Sequence, residues 1–310
     1  MRYLLVFLLL TFAGTAQAAE DIQAALDQAW KDRGEVVLQP GTYLVKNSLL
    51  AHCTIRAVGS ARLQWSGPET DDYILRLIGV DGEIHSPHLS GLNFDGAKKA
   101  RGLYVDNVHR GVLENLTFYR TRGMGLKIDR GWVLHARNLG VMYCEGPALD
   151  ASGLSAGSIY GLSIHDVTSA DAPIVTITGA ADVRQLGIED CDSGKHPVVR
   201  LRKFWAGSLD GFISERLKGS AILQVEDSFG SRIDRLSHWQ EPKGRMAVGV
   251  VLRNCEAVRI GTMQGWNIDT MVRIEGDSTN CQVKREWIKD QSGTTKHLID
   301  HAGRGAKGEP

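Results

Sequence analysis

Gly102-Leu-Tyr-Val-Asp106, Gly125-Leu-Lys-Ile-Asp129 and Ala148-Leu-Asp-Ala-Ser152 begin 23 residues apart. The pattern returns in Ile174-Val-Thr-Ile-Thr178, Val198-Val-Arg-Leu-Arg202, Ile222-Leu-Gln-Val-Glu226, Gly249-Val-Val-Leu-Arg253 and Met271-Val-Arg-Ile-Glu275, at spacings of 22 to 27 residues. A second motif follows each after about a dozen residues, as in Asn115-Leu-Thr-Phe-Tyr119, Asn138-Leu-Gly-Val-Met142, Gly161-Leu-Ser-Ile-His165 and Gln185-Leu-Gly-Ile-Glu189. Apolar and polar residues alternate in every motif, which is the period of a strand with one buried face. A coil this short encloses no core alone. Stacked coils do, because each strand then pairs in parallel with its neighbours about 4.8 Å above and below. A β-sandwich also has evenly spaced strands, but it does not return two motifs in one order at a nearly fixed period. The expectation is an all-β, single-domain, right-handed parallel β-helix of about eight or nine coils.

Both ends fit a solenoid. Asp21 to Trp30 places Ile22, Ala25, Leu26, Ala29 and Trp30 on one helical face, with Asp21 as N-cap. A capping helix over residues 21–31 would close the open end of the stack. Gly34-Glu-Val-Val-Leu-Gln-Pro-Gly-Thr-Tyr43 then reads as two strands around a Pro-Gly turn. The chain opens with Met1-Arg2, an apolar run from Tyr3 to Phe12 and Ala16-Gln17-Ala18, the form of a signal peptide over residues 1–18. That run is shorter than the roughly 20 residues needed to span a bilayer, and no later segment is longer. The β-helix domain is expected over 19–300, with a polar, glycine-rich tail over 301–310. Export to the periplasm or beyond follows from this reading.

Lysine plus arginine and aspartate plus glutamate balance at 36 each, so bulk charge favours neither nucleic acid nor a membrane surface. Five irregularly spaced cysteines form neither a disulfide framework nor a zinc pattern, and buried thiols with at most one bridge are expected. No phosphate loop, nucleophile elbow or dinucleotide fingerprint is present.

The capping helix, the Gly34–Val45 segment and the succeeding coils resemble the pectin-lyase-like β-helix superfamily over nearly the whole mature chain. The resemblance implies the fold. For chemistry it implies only a choice among lyases, hydrolases, uronate epimerases and members without catalysis. Polygalacturonase-like hydrolases carry acids just before the first strand of each coil. The matching positions here are Arg101, Met124, Pro147, Pro173, Pro197, Ala221, Val248 and Thr270. Ser86-Pro87-His88-Leu89 lacks both aspartates of the epimerase Asp-Pro-His-Asp run, and the arginine-proline signature of pectate lyases is missing.

Strand alternation points two columns outward from the first motif: Tyr104, Lys127, Asp150, Thr176, Arg200, Gln224, Val251 and Arg273, beside Asp106, Asp129, Ser152, Thr178, Arg202, Glu226, Arg253 and Glu275. This mixture suits an acidic polysaccharide as partner. A lyase needs a base for the proton beside the uronate carboxylate and a cation to neutralise that carboxylate. Lys127 is the candidate base if its surroundings lower its pKa, with Arg200 and Arg202 as carboxylate clamps. Tyr104, Asp150 and Arg273 would bind substrate. Asp106, Asp129 and Asp150 could instead hold Ca²⁺. The competing reading is a solvated face whose charges pair across coils. The second motif gives a column of Tyr119, Met142, His165, Glu189, Glu215, Trp239 and Trp266 beside the smaller Thr117, Gly140, Ser163, Gly187, Ile213, Ser237 and Gln264. His165, Trp239 and Trp266 could bind sugar rings, and Glu189 with Glu215 could serve as a glycosidase acid/base pair. His85 and His88 are a further metal candidate, and Asn115-Leu-Thr117 reads as a tight asparagine turn rather than a glycan acceptor.

Overall fold

The computed structural model describes residues 7–10, 17–80, 86–241 and 244–301. Most of the signal-peptide region, His85 and the tail from 302 on lie outside the described residues. From Leu49–Ala51 to His297–His301, eleven short strands stack in parallel as one sheet. A second parallel sheet of 17 strands wraps the rest of each coil. The solenoid therefore has about eleven coils, more than the eight or nine expected. The extra coils begin at Leu49, Tyr73 and His297. They were missed because irregular segments precede them, so that Leu75 pairs with Leu103 after 28 residues rather than 23.

The longer strands Gly131–Met142 and Leu154–His165 each contain two residues of positive φ, and the second, Asn138 or Gly161, divides the strand between two faces. At that bend Asn115 and Asn138 both have φ of 54°, and Gly161 has φ of 71°. Asparagine and glycine tolerate this region best, which is the asparagine turn read from the sequence. The Asn138 side-chain amide donates to Asn115 Oδ1 at 3.1 Å, tying one coil to the next. Each coil thus has three faces. The first carries the first motif, the second the segments around Val112–Glu114, His135–Arg137, Ser158–Tyr160 and Asp182–Arg184, and the third the second motif.

The core is the stack of inward residues. Phe94 and Phe118 stack at 5.1 Å inside it, among leucine, isoleucine and valine at almost every other inward position. No disulfide is present among the described residues. Cys53, Cys144, Cys191 and Cys255 are buried free thiols, and burial pushes Cys191 up to about 12. The one α-helix among the described residues, Ala19–Lys31, buries Ile22, Ala25, Leu26 and Ala29 over the first coil. It starts two residues before Asp21, so Asp21 is inside the helix rather than its cap. The helix also closes the sheet edge. Gln23 accepts from the Leu50 amide and donates to its carbonyl, both at 2.9 Å, so the first strand offers that pair of groups to no other chain. The Pro40-Gly41 turn separates Glu35–Leu38 from Gly41–Val45, and both pair in parallel with Thr54–Trp65. Among the described residues no helix is long and apolar enough to cross a membrane.

Candidate functional site

The outward columns stand in the register that alternation predicted. Arg76, Tyr104, Lys127, Asp150, Thr176, Arg200, Gln224, Val251, Arg273 and Asp300 are successive cross-strand partners. On the third face Tyr119, Met142, His165, Glu189, Glu215 and Trp239 are likewise consecutive. Trp266 follows less regularly, its amide bonding to the His238 carbonyl at 3.1 Å.

The columns gather the residues unevenly. On the first face Tyr104 donates its hydroxyl to Asp129 Oδ2 at 2.6 Å, and Lys127 Nζ lies 3.0 Å from Asp129 Oδ1. One carboxylate therefore links a phenol to an ammonium from the next coil. Burial pulls the Lys127 pKa down, but its bond and charge pairing with Asp129, aided by Tyr73 and Asp150, outweigh this and leave it raised. Lys127 is held as a cation, the opposite of the lowered pKa that a free-base role would need. Burial first, then the hydrogen bond to Asp129 and the charge of Asp106, push the Tyr104 phenol upward. The Arg76 guanidinium lies over the Tyr104 ring at 5.1 Å. Behind it Tyr73 packs against Tyr104 at 5.2 Å, with Arg101 over its ring at 5.6 Å. Among the described residues the buried Tyr73 hydroxyl and Arg101 Nε find no hydrogen-bond partner. Sequence reasoning missed Tyr73, Arg76 and Arg101. Leu75-Arg76-Leu77 carries the same alternation as the aligned motifs, and extending the repeat one coil backward would have found it.

Asp106 stands apart from this group, held by Arg130 through bonds of 2.6 and 2.8 Å that lower its pKa. Asp150 accepts the Ser152 amide at 3.1 Å. Among the described residues no three Asp, Glu, His or Cys side chains converge as a metal-binding set. His88 is engaged with Glu114 at 2.6 Å. Further along the face, Arg202 Nε lies 3.6 Å from Glu226 and 3.5 Å from Asp227, and Arg200 Nε lies 3.8 Å from Glu226. Arg273 meets Asp300 at 3.2 Å, and Arg253 Nε bonds Glu275 at 2.6 Å. This stretch is the charge-paired face of the competing reading. Gln224 and Val251 between them are buried, which leaves no continuous polar strip there.

On the third face Glu189 and Glu215 both bind Arg216, Glu215 at 3.1 Å, and Arg216 also bonds Asp190 at 2.6 Å. One guanidinium thus neutralises both members of the supposed glycosidase pair. It lies 5.8 Å over the ring of Trp239, which is exposed. His165 is bracketed by Ser163 and Glu189. The second face, to which the sequence reading assigned only His88 as a metal candidate, holds a depression of about 570 Å³ lined by His135, Arg137, Ser158, Tyr160, Asp182 and Arg184.

No protein-family model matches this sequence, and no curated protein matches it either. Solved structures do. An alginate lyase from Paenibacillus sp. str. FPU-7 is 14% identical over 93% of this chain and 97% of its own, with a TM-score of 0.58. An endo-xylogalacturonan hydrolase from Aspergillus tubingensis is 10% identical over 96% and 93%, with a TM-score of 0.52. PfbA, a surface adhesin of Streptococcus pneumoniae, is 12% identical over 96% and 94%, with a TM-score of 0.54. At these identities the likeness establishes the fold. The chain is a parallel β-helix.

Proposed function

We propose that the protein is an exported polysaccharide-active β-helix that cleaves a uronate polymer by β-elimination on its first face. The observation that carries this reading is the Tyr104–Asp129–Lys127 constellation, in which one carboxylate holds a proton-transfer group and a cation side by side on an outward column. Elimination removes the proton from the carbon bearing the carboxylate, breaks the glycosidic carbon–oxygen bond and leaves a double bond. Lys127 and Arg76 meet the substrate carboxylate and offset the charge that builds on it. Asp129 takes the proton from carbon while Tyr104, held protonated, delivers its own to the departing oxygen and recovers a proton from Asp129. Such positioned transfer contributes about 10²–10⁴-fold. Asp150 and Thr176 continue the column as contacts for further sugar units, with Arg200 at the far end, roughly 14 Å from Lys127. The solved relatives that act on uronate-containing polymers, and the amino-terminal Met1–Ala18 pattern, support the substrate class and export.

The test is incubation with a panel of uronate polysaccharides, with and without calcium. Ultraviolet absorbance of the unsaturated uronate is followed, and products are sized by mass spectrometry. A signal abolished by Tyr104→Phe supports the reading. Dependence on added calcium would place a cation at Asp129 in exchange for Lys127. New reducing ends without a double bond would point to hydrolysis and to Glu189 and Glu215. Binding without any product would favour a second reading, a glycan-holding scaffold, which the exposed ring of Trp239 on the third face supports.

A further inference from the structure

Ser163 and His165 sit two residues apart on one strand, so their side chains share the outward side of the third face. Ser163 Oγ lies 2.8 Å from His165 Nε2, and His165 Nδ1 lies 3.2 Å from Glu189 Oε2 on the next coil. The hydroxyl meets one ring nitrogen and the carboxylate meets the other, which is the atom order of a nucleophile, a base and the group that orients the base. Arg216 fastens Glu189 from the opposite side and so fixes the direction in which the carboxylate faces the ring.

The surroundings of Ser163 are open. Its cross-strand neighbours are Gly140 and Gly187. A Cβ at Gly140 would meet nothing closer than 3.8 Å, and one at Gly187 nothing closer than 3.9 Å. Neither glycine has a positive φ. Neither packing nor backbone geometry therefore requires glycine at these two places, and their effect is to leave the hydroxyl bare on both sides along the solenoid axis.

We propose that Ser163, His165 and Glu189 form a nucleophilic triad that removes small acyl esters from the sugar hydroxyls of a polysaccharide lying along the third face. Ser163 Oγ attacks the acyl carbonyl carbon while His165 Nε2 takes its proton. The carbonyl–oxygen bond to the sugar then breaks, and the sugar oxygen leaves with that proton. Water, deprotonated by His165, hydrolyses the acyl-serine and releases the free acid. Glu189 accepts from Nδ1 throughout. The small Gly140 and Gly187 that flank the hydroxyl suit an acyl group the size of acetyl. The face is open along its length, which suits a polymeric alcohol. Ser163 is paired on both sides in the sheet, so no strand amide is left to hold the oxyanion. Turnover is accordingly expected to be slow, about 10²–10³-fold below that of an enzyme with such donors.

The experiment treats the mature protein with a fluorophosphonate probe, maps the adduct by mass spectrometry, and follows acetate release from an O-acetylated polysaccharide. A single adduct on Ser163 is expected. Ser163→Ala abolishes adduct and acetate release together, and Glu189→Gln lowers both about 10-fold or more. Ser237→Ala, in the same column but with Trp239 where the base would stand, keeps the adduct. The third face is on the surface and folding is checked by circular dichroism, so loss of labelling reports chemistry. No adduct, or an adduct at Ser158 beside His135 instead, overturns the proposal.

Discussion

The first face has two halves built to one plan. Around Tyr73, Arg76, Tyr104 and Lys127, aromatic rings and cations crowd together; Tyr104 and Lys127 share one carboxylate, Asp129, and Arg76 faces Asp72 at 3.7 Å. From Arg200 to Asp300 the same columns hold arginines that each face an acid on the next coil. Strand geometry, register and outward direction are the same in both. What differs is whether one carboxylate serves both a phenol and an ammonium beside stacked rings, as at Asp129, or each arginine faces an acid of the next coil. Exposed pairs of the second kind contribute little to stability and have little charge to spare for a ligand. A column of outward residues therefore does not mark a site. The proposed site rests instead on an imbalance within it.

The comparison breaks most sharply on activity. Tyr104→Phe or Lys127→Ala is expected to lower elimination by about 10³-fold or more, since each removes a group acting on the reacting centre. Arg202→Ala, in the paired half, should change the rate by less than about 3-fold. Equal losses at both places, read from the initial rate of unsaturated product, would sink the distinction between the halves.

The second contrast concerns acid. Beneath the paired half, inside the core, Ser214 Oγ meets His238 Nδ1 at 2.9 Å, and His238 is 2% exposed with Nε2 unpartnered among the described residues. Burial lowers its pKa from 6.5 to about 4. In the unfolded chain the imidazole gains a proton near pH 6.5, while the folded protein resists until about 4. Stability from this group is thus complete above the unfolded pKa and falls as the pH drops through that window, by about 3 kcal/mol in all. Replacing Ser214 with alanine and His238 with leucine together should flatten the pH dependence of the melting temperature there. An unchanged slope would show that His238 is not the acid-sensitive group.

The third test asks how tightly the Tyr104–Asp129–Lys127 group depends on its stack. A Cβ at Gly153 would lie 1.5 Å from the Asp129 carbonyl oxygen, so Gly153→Ala must displace the Asp129 backbone. A loss of roughly 2–3 kcal/mol is expected by chemical denaturation, together with weaker elimination in the protein that remains folded.

Fold and site were legible to different depths. The register of Tyr104, Lys127, Asp150 and Arg200 followed from alternation alone, because a one-residue slip would have buried every charge. The coils at Leu49, Tyr73 and His297 were lost where irregular segments stretched the repeat, and Arg76 and Tyr73 went with them. Columns say which residues point outward but not how their side chains turn. Alternation gave Lys127 three aspartate neighbours without showing that Asp129 takes it, or that Arg216 joins Glu189 to Glu215. Those pairings depend on rotamers and on turn residues such as Arg130 and Arg216, which lie outside the strand pattern. The same limit hid the Ser163–His165–Glu189 contact, although all three stood in the predicted columns.

The smallest expected effect is also the most direct test of the paired half. Arg253 and Glu275 are bonded across one coil at 2.6 Å, with about half of the arginine side chain exposed. In solvent the attraction is screened, and ordering two long side chains costs entropy. Arg253→Ala should therefore cost at most about 1 kcal/mol, and the difference should shrink further in high salt. The double variant with Glu275→Ala separates the pair's own coupling from the loss of each side chain. A coupling well above 1 kcal/mol would mean that the paired half is held together electrostatically as firmly as by its core. Its arginines would then be structural elements of the stack rather than a neutralised surface, and the contrast between the two halves would rest on stability as well as chemistry.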